Sequence, residues 1–241
     1  MINIFILCYN EEVLIEDTIL HYKNNFPNCN ITIYDNESTD NSVKLATNLG
    51  CKIISWNSNN HIDDFKYQEI KNNCWKNIKE GWIIMIDMDE WLCIKEEELE
   101  YEKQNGTTII TTKGFEVVGE SIGLDLKDIN LHKQNKGFHN DYESKYVCFL
   151  REKIDEMNFG IGAHNANPTG IINYSKDVYR LKHMAILGLE FYKDKQKKRY
   201  KRAGEMRKKG YTGYLNSDYK INENYTRFLN LTKEFTKDDL K

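Results

Sequence analysis

The sequence predicts an α/β protein of three layers (α/β/α), with helices on both faces of a mostly parallel mixed sheet. Two observations predict this class. Unbroken apolar runs of strand length recur between residues 2 and 86, as expected for strands that are covered on both faces. Segments with helical spacing of apolar residues separate these runs. This alternation is typical of parallel strands joined by crossover helices.

The elements are expected in a regular order. Strands are predicted at residues 2–8, 30–34, 51–56 and 82–86, with helices at 11–26, 42–49 and 63–80. Beyond residue 105 the pattern predicts strands at 107–112, 146–150 and 177–182 and helices at 187–209 and from 222 onward. The 187–209 segment places several apolar side chains roughly on one face. We expect one domain over residues 1–241, ending in a helical C-terminal arm.

The composition excludes several classes of protein. The chain has 241 residues, 34 of them basic and 37 acidic, whereas a general nucleic-acid binder usually carries excess positive charge. No run approaches the roughly 20 apolar residues that cross a bilayer. The six cysteines form no CxxC pair, which favours a reducing cytoplasmic location. The N-terminus lacks a basic region and a cleavage site, so it is interpreted as part of the fold and not as a signal peptide.

Polar residues follow the first two predicted strands. Because ligands of open α/β sheets gather at the carboxyl ends of strands, these residues are candidates for binding. Tyr9-Asn10-Glu11-Glu12 follows the first strand without a GxGxxG turn, which disfavours a dinucleotide site. Asp35 ends the second strand and suits contact with a base or a ribose. A turn followed by a helix N-cap is the alternative interpretation of the same segment.

Two carboxylates follow the fourth strand. Asp87 and Asp89 are two residues apart, so they point to the same side of an extended chain. Two ionised carboxylates this close need a cation, and oxygen ligands suit Mn²⁺ or Mg²⁺. Such a metal would hold a diphosphate and stabilise it as a leaving group. A solvated acidic turn is the alternative, weakened because the pair directly follows a buried strand.

Taken in order, three motifs resemble the family-2-like glycosyltransferases of the GT-A fold. The motifs are Tyr9-Asn10-Glu11-Glu12, Asp35-Asn36-x-Ser38-x-Asp40-x-Ser42 and Asp87-x-Asp89-Glu90. The helical segment that begins at Lys71 is also similar to the helix that precedes the DxD strand in such enzymes. The resemblance covers residues 2–92 well and 140–210 loosely.

This resemblance implies a GT-A, Rossmann-like fold and a set of site residues. Residues 1–92 would bind the nucleotide and metal, 93–186 would form the acceptor half, and 187–241 the helical arm. The residues implied to contact the nucleotide sugar are Tyr9, Glu11, Asp35, Lys71 and Asp87, and those implied to hold Mn²⁺ or Mg²⁺ are Asp87 and Asp89. The donor would be a UDP- or GDP-linked sugar.

The chain departs from the processive members of the family, because it has no QxxRW motif and no membrane span. A single-sugar transfer to a hydroxyl of a glycan or a glycosylated acceptor is therefore expected, without polymer extrusion. The oligomeric state stays open at this stage.

The second half of the chain contains further candidates for metal binding, diphosphate binding and catalysis. Related enzymes often take a third metal ligand from a histidine near His183, which follows a predicted strand. His164, in a glycine-rich loop, could ligate the metal instead or face the acceptor. In the basic segment after residue 192, Lys193 or Arg199 is expected to offset the charge of the diphosphate, although a solvated helix face explains the same run of charges. Asp141 is the candidate general base for an inverting reaction, chosen from the acidic residues Glu120, Asp125, Asp128, Asp141 and Glu143 of the middle segment. A retaining enzyme would not need it.

Three other functions compete with this interpretation. A nucleotidyltransferase should carry a glycine-rich basic loop after the first strand, and Tyr9-Asn10-Glu11-Glu12 is not one. A haloacid-dehalogenase-like phosphohydrolase expects Thr or Val shortly after the second aspartate of its first strand, whereas Asp89 is followed by Glu90-Trp91 on the fourth. A non-catalytic nucleotide- or glycan-binding module would bind tightly without turnover.

Overall fold

The computed structural model describes residues 1–211 and 217–240. Within them the helices are α1 (Ile15–Asn25), α2 (Ser42–Asn48), α3 (Asp64–Asn73), α4 (Glu96–Gln104), α5 (Leu189–Arg202), α6 (Gly204–Lys208) and α7 (Asp218–Leu231). The strands are β1 (Ile2–Cys8), β2 (Asn30–Asp35), β3 (Lys52–Ser55), β4 (Trp82–Asp87), β5 (Glu90–Cys93), β6 (Ile109–Val118), β7 (Lys136–His139), β8 (Cys148–Leu150), β9 (Ile154–Glu156), β10 (Thr169–Gly170), β11 (Tyr174–Ile186) and β12 (Lys233–Glu234).

One mixed sheet dominates the described part of the chain. Its path is β12-β7-β6-β8-β4-β1-β2-β3, and β11 adds to it by pairing with β6 and β5. The pairs β3–β2, β2–β1, β1–β4 and β11–β6 are parallel, while β8 runs antiparallel to β4. The predicted α/β class with a mixed sheet and a helical C-terminal arm is confirmed. Residues 212–216 and 241 of the predicted arm lie outside the described residues.

β1 shows why this sheet needs cover on both faces. All seven of its residues are buried, and successive side chains of a strand point to opposite faces. Ile4 and Ile6 join the larger core cluster, which includes side chains of α1. Phe5 and Leu7 join the second cluster, in which Trp75 is fully buried after α3. The unbroken apolar run of β1 therefore reflects two packed faces.

Several element boundaries differ from the predicted ones. The helix expected over residues 63–80 ends at Asn73. Beyond it the Trp75 side chain is buried in the core, and the Arg151 side chain donates hydrogen bonds to the backbone carbonyls of Lys76 and Ile78. The helix expected from residue 11 begins at Ile15. The residues of its first predicted turn contact α2 instead, where Ser42 Oγ accepts a hydrogen bond from the Glu11 N–H at 2.8 Å.

The second half contains the larger differences. The strand expected at 177–182 spans Tyr174–Ile186, so His183 lies within β11 and does not follow it. The reason is that β11 pairs along most of its length with β6 and also with β5, a short strand that the sequence did not predict. The helix expected at 187–209 is divided at Ala203 into α5 and α6, and the last helix begins at Asp218.

Two further features are the state of the cysteines and the hydropathy of the helices. All six cysteines are free. In the described ranges, no helix has the length and apolar character that a bilayer crossing requires. The division into residues 1–92, 93–186 and 187–241 stays a prediction.

Candidate functional site

A cavity of about 920 Å³ opens at the carboxyl ends of β1 and β4. Tyr9 and Glu11 reach it from the segment after β1, Asp87 from the end of β4 and Asp89 from the turn between β4 and β5. His183 of β11 completes this part of the wall. The position agrees with the rule that ligands of open α/β sheets bind beyond the carboxyl ends of the strands.

Asp87 is held from beneath by a buried lysine. Lys71 Nζ of α3 lies 2.9 Å from Asp87 Oδ2, with its side chain 3% exposed. The Asp87 N–H donates to Glu90 Oε2 at 2.8 Å. Both contacts fix the carboxylate at the end of β4, where it lines the cavity. Lys71, predicted as a nucleotide contact, therefore reaches the cavity as the ion-pair partner of Asp87.

The imidazole of His183 contacts Asp89 through one ring nitrogen and Glu116 through the other. His183 Nε2 lies 3.3 Å from Asp89 Oδ2, and His183 Nδ1 lies 2.9 Å from Glu116 Oε2. Burial opposes the charge of His183, but the carboxylates of Glu116, Asp89 and Glu143 outweigh it and hold the pKa of His183 well above its usual value. The imidazole is thus oriented from one side by Glu116 and presented to Asp89 on the other.

A lysine of α5 neutralises the same aspartate. Lys195 Nζ lies 2.8 Å from Asp89 Oδ2 and 3.3 Å from Glu11 Oε1. Burial would raise the pKa of Asp89, but the charges of Lys195 and His183 outweigh it and hold this pKa well below its usual value. The C-terminal arm therefore contributes a cation directly to the predicted diphosphate site.

A second buried network lies beside the first. Lys145 Nζ is 2.6 Å from Glu90 Oε1 and 2.8 Å from Glu143 Oε2, and all three side chains are at most 8% exposed. Burial alone would raise the pKa of Glu143, but His183 and Lys145 lower it. Glu143 and Lys145 line the cavity, so an ionised carboxylate is present in its wall close to His183.

The guanidinium of Arg202 lies over the ring of Tyr9. The Arg202 guanidinium lies 3.2 Å from the centre of the Tyr9 ring, and Arg202 also donates to the carbonyls of Asn60 and His61. The Tyr9 hydroxyl donates to Asn60 Oδ1 at 2.9 Å. These contacts join the end of α5 to the segment after β1 across the cavity that both line.

Three predicted residues do not line the cavity. Asp35 is buried, and its carboxylate accepts the Ser38 N–H at 3.1 Å, as the turn-and-cap alternative expects. Lys193 pairs with Glu190 at 2.9 Å. The Asp141 side chain is 95% exposed and lies 3.1 Å from His139 Nε2. The roles predicted for these residues are therefore not supported by their positions.

The cavity brings together the other predicted residues. Tyr9, Glu11, Lys71, Asp87, Asp89 and His183 all line it. His164 lines it as well, but its Nδ1 lies 2.8 Å from the Tyr142 carbonyl oxygen and its ring stacks on Tyr142. Of the two histidines left open by the sequence, His183 is the one beside Asp89.

Several residues of the site were not singled out from the sequence. Lys195 was part of the predicted basic run, and the phase of α5 was the available signal. Phe191 is buried, and position 195 is four residues further along the same helix face, whereas position 193 is not. Glu143 was among the acidic residues considered as a general base, but Asp141 was preferred to it. Glu116 and Lys145 gave no local signal, since contacts between distant segments bring Glu116 to His183 and Lys145 to the cavity.

The side chains fit a divalent cation of the oxygen-preferring type. Asp87 and Asp89 supply carboxylate oxygens, and His183 supplies Nε2 once that nitrogen is deprotonated. The Glu116 contact at Nδ1 is the outer-shell partner that metal-binding histidines usually have. Among the described residues, the group whose ligand atoms all lie within 4.8 Å of one another is Glu116, Glu143 and His183. Asp87 and Asp89 are not part of that group, although Asp89 contacts His183.

Comparison with known proteins agrees with this picture over the first part of the chain. Residues 3–100 match the model of glycosyl transferase family 2. Protein RfbJ of Shigella flexneri is 37% identical over 54 residues, which are 22% of this chain and 42% of RfbJ. The match therefore spans less than half the length of that curated relative.

Solved structures resemble the chain more weakly. S. aureus TarS 1-349 in complex with UDP has a TM-score of 0.48 at 11% identity, over 95% of this chain and 70% of the 1-349 chain. Glucosyl-3-phosphoglycerate synthase from Mycobacterium tuberculosis, in complex with Mn²⁺, UDP and glucosyl-3-phosphoglycerate, has a TM-score of 0.33 at 15% identity. That match covers 47% of this chain and 44% of the synthase. At these levels of similarity no ligand is carried over from them.

The resemblance predicted from the three strand-end motifs is confirmed by the family match, which covers the segment containing all of them. Residues 3–100 of this chain are therefore similar to glycosyl transferase family 2, over less than half of its length.

Proposed function

We propose that the whole chain is a metal-dependent glycosyltransferase. It would transfer a single sugar from a UDP- or GDP-linked donor to a hydroxyl of a glycan or a glycosylated acceptor. The family match of residues 3–100 supports the reaction class. One structural observation carries the proposal further. Asp89 lies within 3.3 Å of both His183 Nε2 and Lys195 Nζ at the floor of a 920 Å³ cavity.

The cation would be Mn²⁺ or Mg²⁺. Asp87, Asp89 and His183 would hold it, and when bound it would neutralise the diphosphate and make it a better leaving group. Glu116 orients His183 by accepting from its Nδ1, which leaves Nε2 directed at Asp89. Lys71 fixes Asp87 in place, since its ammonium is buried against that carboxylate.

The chain itself adds positive charge where the diphosphate would lie. The basic residues of α5 that line the cavity are Lys195, Lys198, Arg199 and Arg202, and Asp194 of the same helix lines it as well. Preorganised cations stabilise charge that develops on a leaving group, because they do not have to reorient during the reaction. In this proposal Lys195 takes the role that the sequence assigned to Lys193.

The nucleoside would bind near Tyr9. Its ring lines the cavity and already carries the Arg202 guanidinium on one face. A planar nucleobase can stack on the Tyr9 ring beside the Arg202 guanidinium or in its place, because nucleobases and guanidinium groups both stack on aromatic rings. Hydrolysis assays with UDP- and GDP-sugars distinguish uracil from guanine at this position.

If the transfer inverts the anomeric carbon, the acceptor hydroxyl needs a base. We place this role on Glu143 instead of Asp141, which the sequence favoured. Glu143 lines the cavity, and its pKa is lowered in spite of burial because His183 and Lys145 are close. It is therefore ionised at neutral pH and can accept a proton. Asp141 lies two residues away with an exposed side chain.

The proposed setting is the cytoplasm. The unpaired state of all six cysteines supports a reducing compartment. The proposal includes no nucleic-acid partner, because the overall charge is −3 and four of the basic residues of α5 line the cavity, namely Lys195, Lys198, Arg199 and Arg202.

Nucleotide-sugar hydrolysis tests this function without knowledge of the acceptor. UDP- and GDP-sugars would be incubated with the wild type and with Asp89→Asn, in Mn²⁺, in Mg²⁺ and in chelator. We expect slow release of the nucleoside diphosphate from at least one donor, dependent on the cation and lost in Asp89→Asn. Lys127→Met serves as the control, because its side chain is 83% exposed. No hydrolysis of any donor contradicts the proposal, and release of pyrophosphate from a nucleoside triphosphate would favour a nucleotidyltransferase.

A further inference from the structure

Two aromatic side chains form a stacked pair in the wall of the cavity. The rings of Tyr142 and His164 have centroids 3.6 Å apart and planes inclined by 24°. Both residues line the cavity, yet Tyr142 is 63% exposed. One face of the Tyr142 ring is therefore covered by the imidazole, while much of the side chain remains open to a ligand.

The chain holds this pair in place through backbone contacts. His164 Nδ1 lies 2.8 Å from the Tyr142 carbonyl oxygen, and because a carbonyl can only accept, Nδ1 carries the proton. Gly162 has φ +71°, and a Cβ there would come within 2.5 Å of His164 Cδ2. Only glycine leaves room for the imidazole in this position.

The loop that carries His164 is anchored to α3. The Asn72 and Gln68 side chains both donate to the Phe159 carbonyl, and the Phe159 N–H donates to Asn72 Oδ1 at 2.8 Å. Phe159 itself is buried in the core. The pair, called here the Tyr142–His164 platform, is thus a preformed surface and not two independent surface side chains.

The chemistry of the platform differs from that of α5. Burial and the charge of Lys145 lower the pKa of His164, so the imidazole is neutral at physiological pH and its Nε2 can accept a hydrogen bond. Leu124, 55% exposed, also lines the cavity. An aromatic face, an exposed leucine and a hydrogen-bond acceptor suit a neutral ligand that has an apolar face and hydroxyl groups. The anionic diphosphate belongs with the cations of α5.

We propose that the Tyr142–His164 platform is the acceptor subsite and that it binds a neutral sugar ring by stacking on Tyr142. The C–H groups on one face of a pyranose pack on an aromatic ring, and a hydroxyl of the same sugar donates to His164 Nε2. Glu143 directly follows Tyr142 in the chain, so the stacked sugar lies beside the proposed base. This inference rests on the function proposed above and deepens it by assigning the acceptor sugar to Tyr142 and His164.

Binding of methyl glycosides tests the platform. A panel of methyl α- and β-glycosides of common hexoses and N-acetylhexosamines would be examined by saturation-transfer difference NMR. We expect at least one glycoside to bind the wild type and Tyr142→Phe, with saturation strongest at its ring C–H protons. Tyr142→Ala should weaken this binding about tenfold, which is the effect expected for loss of one aromatic stack. Tyr219→Ala is the matched control, because Tyr219 is 77% exposed on α7 and does not line the cavity.

A second variant tests the geometry without removing the tyrosine. Gly162→Ala displaces His164 and should also weaken glycoside binding. The proposal is overturned if no glycoside of the panel binds the wild type, or if Tyr142→Ala binds as tightly as the wild type. Nucleotide-sugar hydrolysis by the wild type is measured separately. Its failure would contradict the transfer reaction, while glycoside binding that depends on Tyr142 would still establish the platform.

Discussion

Lys195 Nζ of α5 lies 2.8 Å from Asp89 Oδ2, in the turn that follows β4. This contact joins the C-terminal arm to the candidate metal site, and the same ammonium reaches Glu11 after β1. Three parts of the chain that are distant in sequence therefore meet at one buried cation. A divalent metal at Asp89 would compete with Lys195 or share that carboxylate with it.

Replacement of Lys195 by methionine should make the protein depend on a divalent cation for its stability. Lys195→Met leaves Asp89 and Glu11 buried without their ammonium, which should cost about 2–4 kcal/mol of unfolding free energy when no metal is present. Mn²⁺ should restore part of this loss, because it can neutralise Asp89 in place of the lysine. Thermal unfolding with and without Mn²⁺ measures the effect.

Lys197→Met is the matched control for that experiment. Lys197 lies on the same helix, but it pairs with Asp218 and is 41% exposed, so its replacement should change the unfolding free energy by about 0–1 kcal/mol. An equal Mn²⁺-induced shift in wild type, Lys195→Met and Lys197→Met would contradict competition at Asp89.

Loss of the Lys145 ammonium should destabilise the fold strongly. Lys145→Met leaves Glu90 and Glu143 buried as uncompensated carboxylates, and removing one partner of a buried ion pair typically costs about 3–5 kcal/mol. Urea unfolding measures the change in free energy. Lys127→Met, on the surface beside Asp125, should leave the free energy of unfolding nearly unchanged. A Lys145→Met protein as stable as the Lys127→Met protein would refute the buried network.

The position of the general base can be resolved with two neighbouring variants. Glu143→Gln keeps the shape of the side chain but cannot accept a proton, so it should lower the rate of nucleotide-sugar hydrolysis by about 10² or more. Asp141→Asn should leave the rate nearly unchanged, because its side chain is 95% exposed. The reverse order of effects would return the role to Asp141. A fold check by thermal unfolding accompanies both variants.

His21 should make the protein less stable in mild acid. Burial lowers the pKa of His21 to about 4, while its Nε2 lies 3.0 Å from the Leu92 carbonyl oxygen and its ring stacks on Trp91. As the pH falls below the unfolded value near 6.5, the unfolded chain binds a proton that the folded chain does not. Stability therefore decreases between pH 6.5 and 4, by up to about 3 kcal/mol from this residue.

Urea unfolding of wild type and His21→Gln across this pH range isolates that contribution. The glutamine variant has no imidazole to protonate, so its unfolding free energy should fall less steeply from pH 6.5 to 4. Other groups contribute equally to both proteins, and the difference between the two curves reports His21. Parallel curves would mean that His21 is protonated as readily in the folded protein as in the unfolded one.

Local patterns were sufficient to predict the first half of the fold. The runs that became β1 and β4 are buried on both faces and are almost wholly apolar, with Asn3 in β1 and Asp87 at the end of β4 as the polar exceptions. The aspartates after β4 were found because they end such a run. Asp35 was placed correctly at the end of β2, but its position says nothing about where the carboxylate points, and it turns to the Ser38 N–H.

The second half depends on contacts that no local pattern contains. β5 and β11 define each other by antiparallel pairing between distant segments, and this pairing places His183 within a strand beside Asp89. Lys145 and Glu143 are buried only because they compensate each other and Glu90. By contrast, Lys195 could have been preferred to Lys193 from the phase of the helix relative to Phe191.

Isothermal titration calorimetry of the donor with the metal tests the central claim most directly. Wild type and Asp89→Ala would be titrated with UDP- and GDP-sugars in Mn²⁺, in Mg²⁺ and in chelator. We predict that the wild type binds at least one nucleotide sugar only when the cation is present and that Asp89→Ala loses this dependence together with the binding. Absence of nucleotide-sugar binding by the wild type, or metal-dependent binding that is unchanged in Asp89→Ala, would contradict the account.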